Sequence, residues 1–240
     1  MNLCIDIGNT NTKFGLFEGY ELKKVFTESD ALDVIFDHYT LEHIFLSKTG
    51  ANENVELRLK RSRKKFELLV YSPYLRFPIE VLYKTPHTLG ADRIAGAVAA
   101  NDLFKNQNVL KIDFGTCITF DFVNSSNQYE GGGISPGMNM RFRALHNYTA
   151  RLPLVDPFQF TDFPLVGTDT PTSMLSGVVH GIKNEVSGII KDYEARFGAL
   201  KVVATGGDAS LFVTLLENDI FASPYLVLEG LHRILQFNLD

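Results

Sequence analysis

Positive charge, sulfur and long apolar runs are all scarce in this chain of 240 residues. The formal net charge is −5, so no overall positive field exists to gather nucleic acid or anionic lipid, and no nucleic-acid partner is expected. The two cysteines, Cys4 and Cys117, stand in separate apolar runs and supply neither a disulfide framework nor a four-thiolate zinc site. The six histidines show no metal-ligand spacing with them, which argues against zinc. No stretch reaches the roughly 18 apolar residues of a membrane span, so no membrane partner is expected either. The start, Met1-Asn2-Leu3-Cys4-Ile5-Asp6, brings in charge too early for a secretion signal, and a cytoplasmic protein is expected. What is present, 45% hydrophobic and 21% charged residues, is the balance of a globular chain with a buried core.

The strongest pattern is an internal echo. Leu3-Cys4-Ile5 runs into Asp6-Ile7-Gly8-Asn9-Thr10 and then the apolar Phe14-Gly15-Leu16-Phe17. Later, Val109-Leu110-Lys111-Ile112 runs into Asp113-Phe114-Gly115-Thr116 and then Cys117-Ile118-Thr119-Phe120-Asp121. Both copies predict strand, Asp-x-Gly turn, strand. Two similar halves are expected, 1–108 and 109–240, with Asn106-Gln107-Asn108 breaking the pattern between them. Helices are predicted from Ala91 to Phe104, after a Ser135-Pro136 start, and from Thr170-Pro171 to Gly198. The last of these carries an apolar stripe at Met174, Val178, Ile182, Val186, Ile189 and Tyr193. Lys201 to Ala204 reads as a strand before Thr205-Gly206-Gly207, and Leu226 to Phe237 as a packed helix. Strands alternating with helices give an α/β protein.

Each candidate site has a plain structural reading beside a chemical one. The turn Gly8-Asn9-Thr10-Asn11-Thr12-Lys13 either serves turn geometry alone or presents N–H groups and hydroxyls to a polyphosphate, with Lys13 adding charge. Asp6 before it can hold magnesium, usually through water. The Gly-Lys-Ser/Thr ending of a P-loop is missing. A second such turn at Asp113 favours the chemical reading, since a nucleoside triphosphate and its cations need convergent groups. Gly90-Ala91-Asp92-Arg93 opens a helix; Asp92 either complements the helix dipole or accepts a substrate proton, and Arg93 can pair with a carboxylate. Gly131 to Gly137 is either a flexible loop or a backbone approach to an anion. Thr170 is most simply a helix N-cap, and its hydroxyl can instead bond a substrate. Lys60 to Lys65 reads as a solvated helix face, and Cys117 as a small core residue.

Taken in order, Asp6-Ile7-Gly8-Asn9-Thr10, Gly90 to Arg93, Asp113 to Thr116 with Thr119 and Asp121, Gly131 to Gly137, Thr170 with Ser176-Gly177, and Thr205-Gly206-Gly207 resemble the type III pantothenate kinases over nearly the whole chain. The resemblance implies two ribonuclease-H-like halves of the acetate and sugar kinase/Hsp70/actin superfamily with a cleft between them. It implies ATP-dependent phosphorylation of pantothenate to 4'-phosphopantothenate, the first step of coenzyme A biosynthesis. A homodimer needing Mg2+ and a monovalent cation, K+ or NH4+, is implied with it. By this resemblance Asp6, Ile7, Gly8, Asn9, Thr10, Asn11, Thr12 and Lys13 bind ATP, Thr116 makes a second nucleotide contact, and Asp113 holds the monovalent cation. Tyr83, Gly90, Ala91, Asp92, Arg93 and Thr170 bind pantothenate, with Asp92 as the base. Two positions depart from the pattern: Cys117 replaces a commoner alanine, and Asp169 precedes Thr170 where asparagine is frequent. A phosphohydrolase of the same superfamily, such as an exopolyphosphatase, and a non-catalytic transcriptional accessory protein are the alternatives. Gly177 and Gly181, four apart, offer a helix face for close packing against a partner copy or against the same chain.

Overall fold

The apolar runs around the two Asp-x-Gly turns become strands in the middle of two sheets. The computed structural model describes residues 1–8, 10–27, 31–48, 53–216 and 219–239. The first sheet is built from β1 (Asn2–Ile7), β2 (Thr12–Glu18), β3 (Glu21–Phe26), β4 (His43–Lys48) and β5 (Glu67–Val70) in the order β3-β2-β1-β4-β5. β1 pairs antiparallel with β2 and parallel with β4. Helices α1 (Ala31–His38), α2 (Glu53–Arg61) and α3 (Ala91–Leu103) follow in the chain, with the short β6 (Glu80–Val81) before α3. The second sheet uses β7 (Asn108–Phe114), β8 (Cys117–Val123), β9 (Gln128–Pro136), β10 (Leu200–Thr205) and β11 (Ile220–Ala222). Its order, β11-β10-β7-β8-β9-β6, repeats the first sheet strand for strand and adds β6 at the edge. Helices α4 (Met138–Asn147), α5 (Thr170–Leu175), α6 (Gly181–Phe197), α7 (Ala209–Leu215) and α8 (Leu226–Leu239) complete the fold.

The chain forms two compact units. One comprises Met1–Asn106, Val123–Gly131 and Tyr225–Asp240; the other comprises Gln107–Phe122 and Gly132–Pro224. In the first unit the sheet is covered on both faces, which is why Leu3-Cys4-Ile5 of β1 reads as a continuous apolar run. Leu3, Ile5 and Ile7 pack with α1 and α2 residues such as Leu32, Ile35 and Leu59. Cys4 points the other way, into a cluster with Ile94 and Val98 of α3 and Leu231 and Ile234 of α8. In the second unit Leu110, Ile112 and Phe120 of the sheet pack with Phe142 of α4, Phe212 of α7, and Met174, Val178, Ile182 and Val186 of the predicted stripe; Ile190 is buried with them, whereas the expected Ile189 and Tyr193 are only partly buried.

Two helix starts differ from expectation. Ser135 and Pro136 end β9, and α4 begins at Met138 with Gly137 as its cap. The N-cap of α5 is Asp169, whose carboxylate accepts from Thr172 N–H in a capping box; Thr170 is the first helical residue. A carboxylate one position earlier satisfies the same orphan donor with charge assistance, so it takes the role from the threonine. The predicted single helix from Thr170 is α5 and α6 joined by a π-turn at Ser176–His180, ending at Gly198 with φ +81°. Gly131 to Gly137 is mostly strand rather than loop, because a Cβ on Gly132 would strike the Phe120 carbonyl of the neighbouring strand. The basic run leaves α2 after Arg61.

Candidate functional site

In the first unit, the β1–β2 turn is closed by Gly8 N–H donating to the Asn11 carbonyl at 3.1 Å. Asn9 lies outside the described residues. In register, Asp6 stands opposite Lys13 on β2 and Ser47 on β4, so the three side chains share one face of the sheet. Ser47 donates to Asp6 Oδ1 at 3.5 Å. Ile7 is buried in the core, whereas Thr10 and Asn11 are exposed. Among the described residues no three His, Cys, Asp or Glu side chains cluster as a metal site. A lone half-buried carboxylate at a strand end still suits magnesium, which keeps water and phosphate oxygens as most of its ligands.

The start of α3 holds the second group. A Cβ on Gly90 would come 2.5 Å from Asp92 Oδ1, so glycine there lets the carboxylate fold back over the helix end. Asp92 Oδ1 accepts from the Arg93 backbone N–H at 2.9 Å. Arg93 is only 7% exposed, unusual for a guanidinium, and lies 5.9 Å over the Tyr83 ring. Tyr83 in turn stands 6.2 Å from the Tyr129 ring and against Gly131, whose φ of +112° and lack of a Cβ admit it. Burial, and after it the charge of Asp92, pushes the Tyr71 hydroxyl up to about 12. Tyr71 and Tyr129 were not legible as members of this group, because non-local sheet and helix packing brings them to it. Ala91 is buried at the base of the helix.

In the second unit, Asp113 is the penultimate residue of β7, Gly115 N–H donates to the Cys117 carbonyl, and the Thr116 carbonyl accepts from Gly137 N–H, both at 3.2 Å. Thr205 of β10 pairs with Asp113 in register. Gly206, with φ +98°, leaves room for Asp113 Oδ1 and the Phe114 carbonyl, each 2.5 Å from where its Cβ would be. Its glycine therefore serves this turn-on-turn packing, and the open space lies at Gly207. Burial raises Asp208, next in the chain, to about 6. Asp113 Oδ2 lies 3.7 Å from Lys111 Nζ, so any added cation at this carboxylate shares it with an ammonium already present. Thr170 is exposed at the start of α5. The structure thus holds Asp92, Arg93, Tyr83 and the Asp6 turn in one unit, and Asp113, Thr116 and Thr170 in the other.

Residues 2–192 match the family model of type III pantothenate kinase. The chain is 41% identical to the type III pantothenate kinase of Phocaeicola vulgatus, covering 99% of each chain. It is 42% identical to that of Bacteroides fragilis over 99% of this chain and 98% of that one. Among solved structures it is similar to a Baf family transcriptional activator from Campylobacter jejuni (TM-score 0.61, 24% identity, 99% and 98% of the two chains). It is also similar to a glucokinase from an Antarctic psychrotroph (TM-score 0.52, 11% identity, 98% of both chains). At these identities the solved structures show the fold alone: an α/β fold with two mixed sheets.

Proposed function

Since this chain belongs to the type III pantothenate kinases, we propose that Asp92 is the base that accepts the proton of the pantothenate primary hydroxyl as its oxygen attacks the γ-phosphorus of ATP. The reaction catalysed is the family's: ATP-dependent phosphorylation of pantothenate to 4'-phosphopantothenate, the first step of coenzyme A biosynthesis. The observation that carries the Asp92 assignment is its tethering over Gly90, with one carboxylate oxygen on the Arg93 N–H and the other left to meet a hydroxyl. Phosphoryl transfer asks mainly for positioning and charge stabilisation, and such a base adds about 10²–10⁴-fold. Arg93, held by burial and by Tyr83, anchors a polar group of pantothenate, its carboxylate by preference; Gly90 and Ala91 shape that pocket and Thr170 adds a hydroxyl contact.

Asp6 through Lys13 form the ATP phosphate segment in this reading, with Thr116 as the second nucleotide contact. Asp6 would hold magnesium through water, where the ion neutralises phosphate charge. Asp113 is the carboxylate that needs a monovalent positive charge beside it, the place where potassium or ammonium would sit. The protein acts as a homodimer in the cytoplasm, where ATP is supplied. The matching order of the two sheets supports reading 1–108 and 109–240 as two halves of one duplicated design.

ADP release measured with and without pantothenate tests the reading. Wild type forms ADP only with pantothenate, whereas a phosphohydrolase forms it without. Asp92→Asn loses at least about 10²-fold in kcat while keeping its melting temperature and its nucleotide affinity. A folded Asp92→Asn protein with near-normal turnover would falsify the base assignment.

A further inference from the structure

Lys111 is a charge in an apolar place. It sits mid-strand in β7 between Leu110 and Ile112, and its side chain is 1% exposed. Its Nζ donates to Asp121 Oδ2 at 2.9 Å and to Thr119 Oγ1 at 3.2 Å, and stands 3.7 Å from Asp113 Oδ2. Strand alternation explains the grouping: Lys111 and Asp113 lie two apart on one face of β7, as do Thr119 and Asp121 on β8. Asp121 is fully buried. Two carboxylates this close to one another, one of them beside the nucleotide in the reading above, repel each other and any triphosphate. Burying an ion costs several kcal/mol unless it is paired with good geometry, so the ammonium is held where it is by the carboxylates and holds them in return.

We propose that Lys111 is a tethered monovalent cation for Asp113, and that it makes an added potassium or ammonium ion dispensable for this chain. The inference rests on the assignment of Asp113 to the nucleotide site. A lysine head group has the charge and the N–H donors of an ammonium ion, and its four-carbon stem, rooted in β7, keeps it from diffusing away. Asp113 then shares the Lys111 charge with Asp121 before ATP arrives, and is partly neutralised by it. Lys111 touches neither substrate; it is a positioning and charge-balancing residue.

The test compares rates and nucleotide binding in potassium, in ammonium and in tetramethylammonium at equal ionic strength. Removing Lys111 alone strands the buried Asp121 charge and can unfold the protein. The variant used is therefore Lys111→Met combined with Asp121→Asn, its fold checked by thermal melting. Wild type should turn over at the same rate in all three salts. The double variant should fall by at least about tenfold in tetramethylammonium, and potassium or ammonium should restore it. Calorimetric ADP affinity, which needs no turnover, should follow the same pattern. Activation of wild type by potassium of more than about fivefold, or a double variant that works as well in tetramethylammonium, overturns the proposal. A folded, impaired double variant that neither ion restores upholds the Lys111 charge and removes the inorganic-ion site from Asp113.

Discussion

His232 shows how one buried ring makes stability depend on pH. It stacks on Phe17 at 4.1 Å with the rings 2° from parallel, and is 1% exposed. His43 donates to Asn2 Oδ1, which turns the Asn2 amide N–H₂ toward His232 Nε2; Gln236 approaches the same nitrogen. An Nε2 that accepts twice belongs to a neutral ring. Burial, and secondarily the charge of Arg233, accordingly lowers His232 from an ordinary 6.5 to about 4. Unfolding therefore takes up a proton between those values, so this residue's contribution is complete above pH 6.5 and is lost as pH falls toward 4, at most about 3 kcal/mol. Asp208 works in the opposite sense: raised to about 6, it stabilises most below its unfolded value and loses that as pH rises through 6. His232→Phe keeps the stack and leaves Asp208 untouched. Melting temperatures from pH 4 to 7 should fall less steeply on acidification in His232→Phe than in wild type; parallel curves would show that the ring does not titrate on unfolding.

At the level of elements, the contact between α3 and α8 places the Asp92–Arg93 corner. Gly230 of α8 lies so close to α3 that a Cβ would overlap the Ala95 carbonyl. Backbone cannot yield as a side-chain tip can, so Gly230→Ala pushes the helices apart, at a cost of about 1–3 kcal/mol or more. The melting temperature should drop by about 2–4 °C per kcal/mol at this chain length, and KM for pantothenate should rise more than KM for ATP, because α3 carries Asp92 and Arg93, proposed above to bind pantothenate. An unchanged melting temperature would mean that the two helices have slack. This close approach was not legible in sequence, where Gly230 is one glycine in an apolar run. The alanine-rich α3, the striped α6 and strand β10 were legible, since periodicity and caps are local signals. Gly132 misled for the opposite reason: three glycines in a row look like a loop, and only the neighbouring strand explains them. The site divides likewise. Gly90 to Arg93 and the two Asp-x-Gly turns announce themselves by order and spacing, while Tyr71, Tyr129 and the Lys111–Asp121 pair depend on which strands become neighbours.

For the whole molecule, the question is what covers the outer face of the long helix in the second unit. Gly177, Gly181 and Gly188 lie along it, and among the described residues a Cβ at any of them would meet nothing within 4 Å. Packing among the described residues of the second unit thus does not explain them. Each costs about 0.5–1 kcal/mol relative to alanine in a helix interior, so three along one helix point to a use outside the protomer. Beside them, Ser176 donates to the Leu165 carbonyl, and Leu165 and Val166 are themselves about three-quarters exposed, an apolar edge of the kind that a second copy covers. Close approach of helix backbones is what small residues permit, and a large side chain there forbids it. Gly177→Leu with Gly181→Leu fills open space, so each protomer should keep its fold and far-ultraviolet circular dichroism. Sedimentation velocity should show wild type at twice the protomer mass and the double variant at the protomer mass. A variant that stays dimeric would move the interface to another face, and a wild type at protomer mass would end the homodimer proposal.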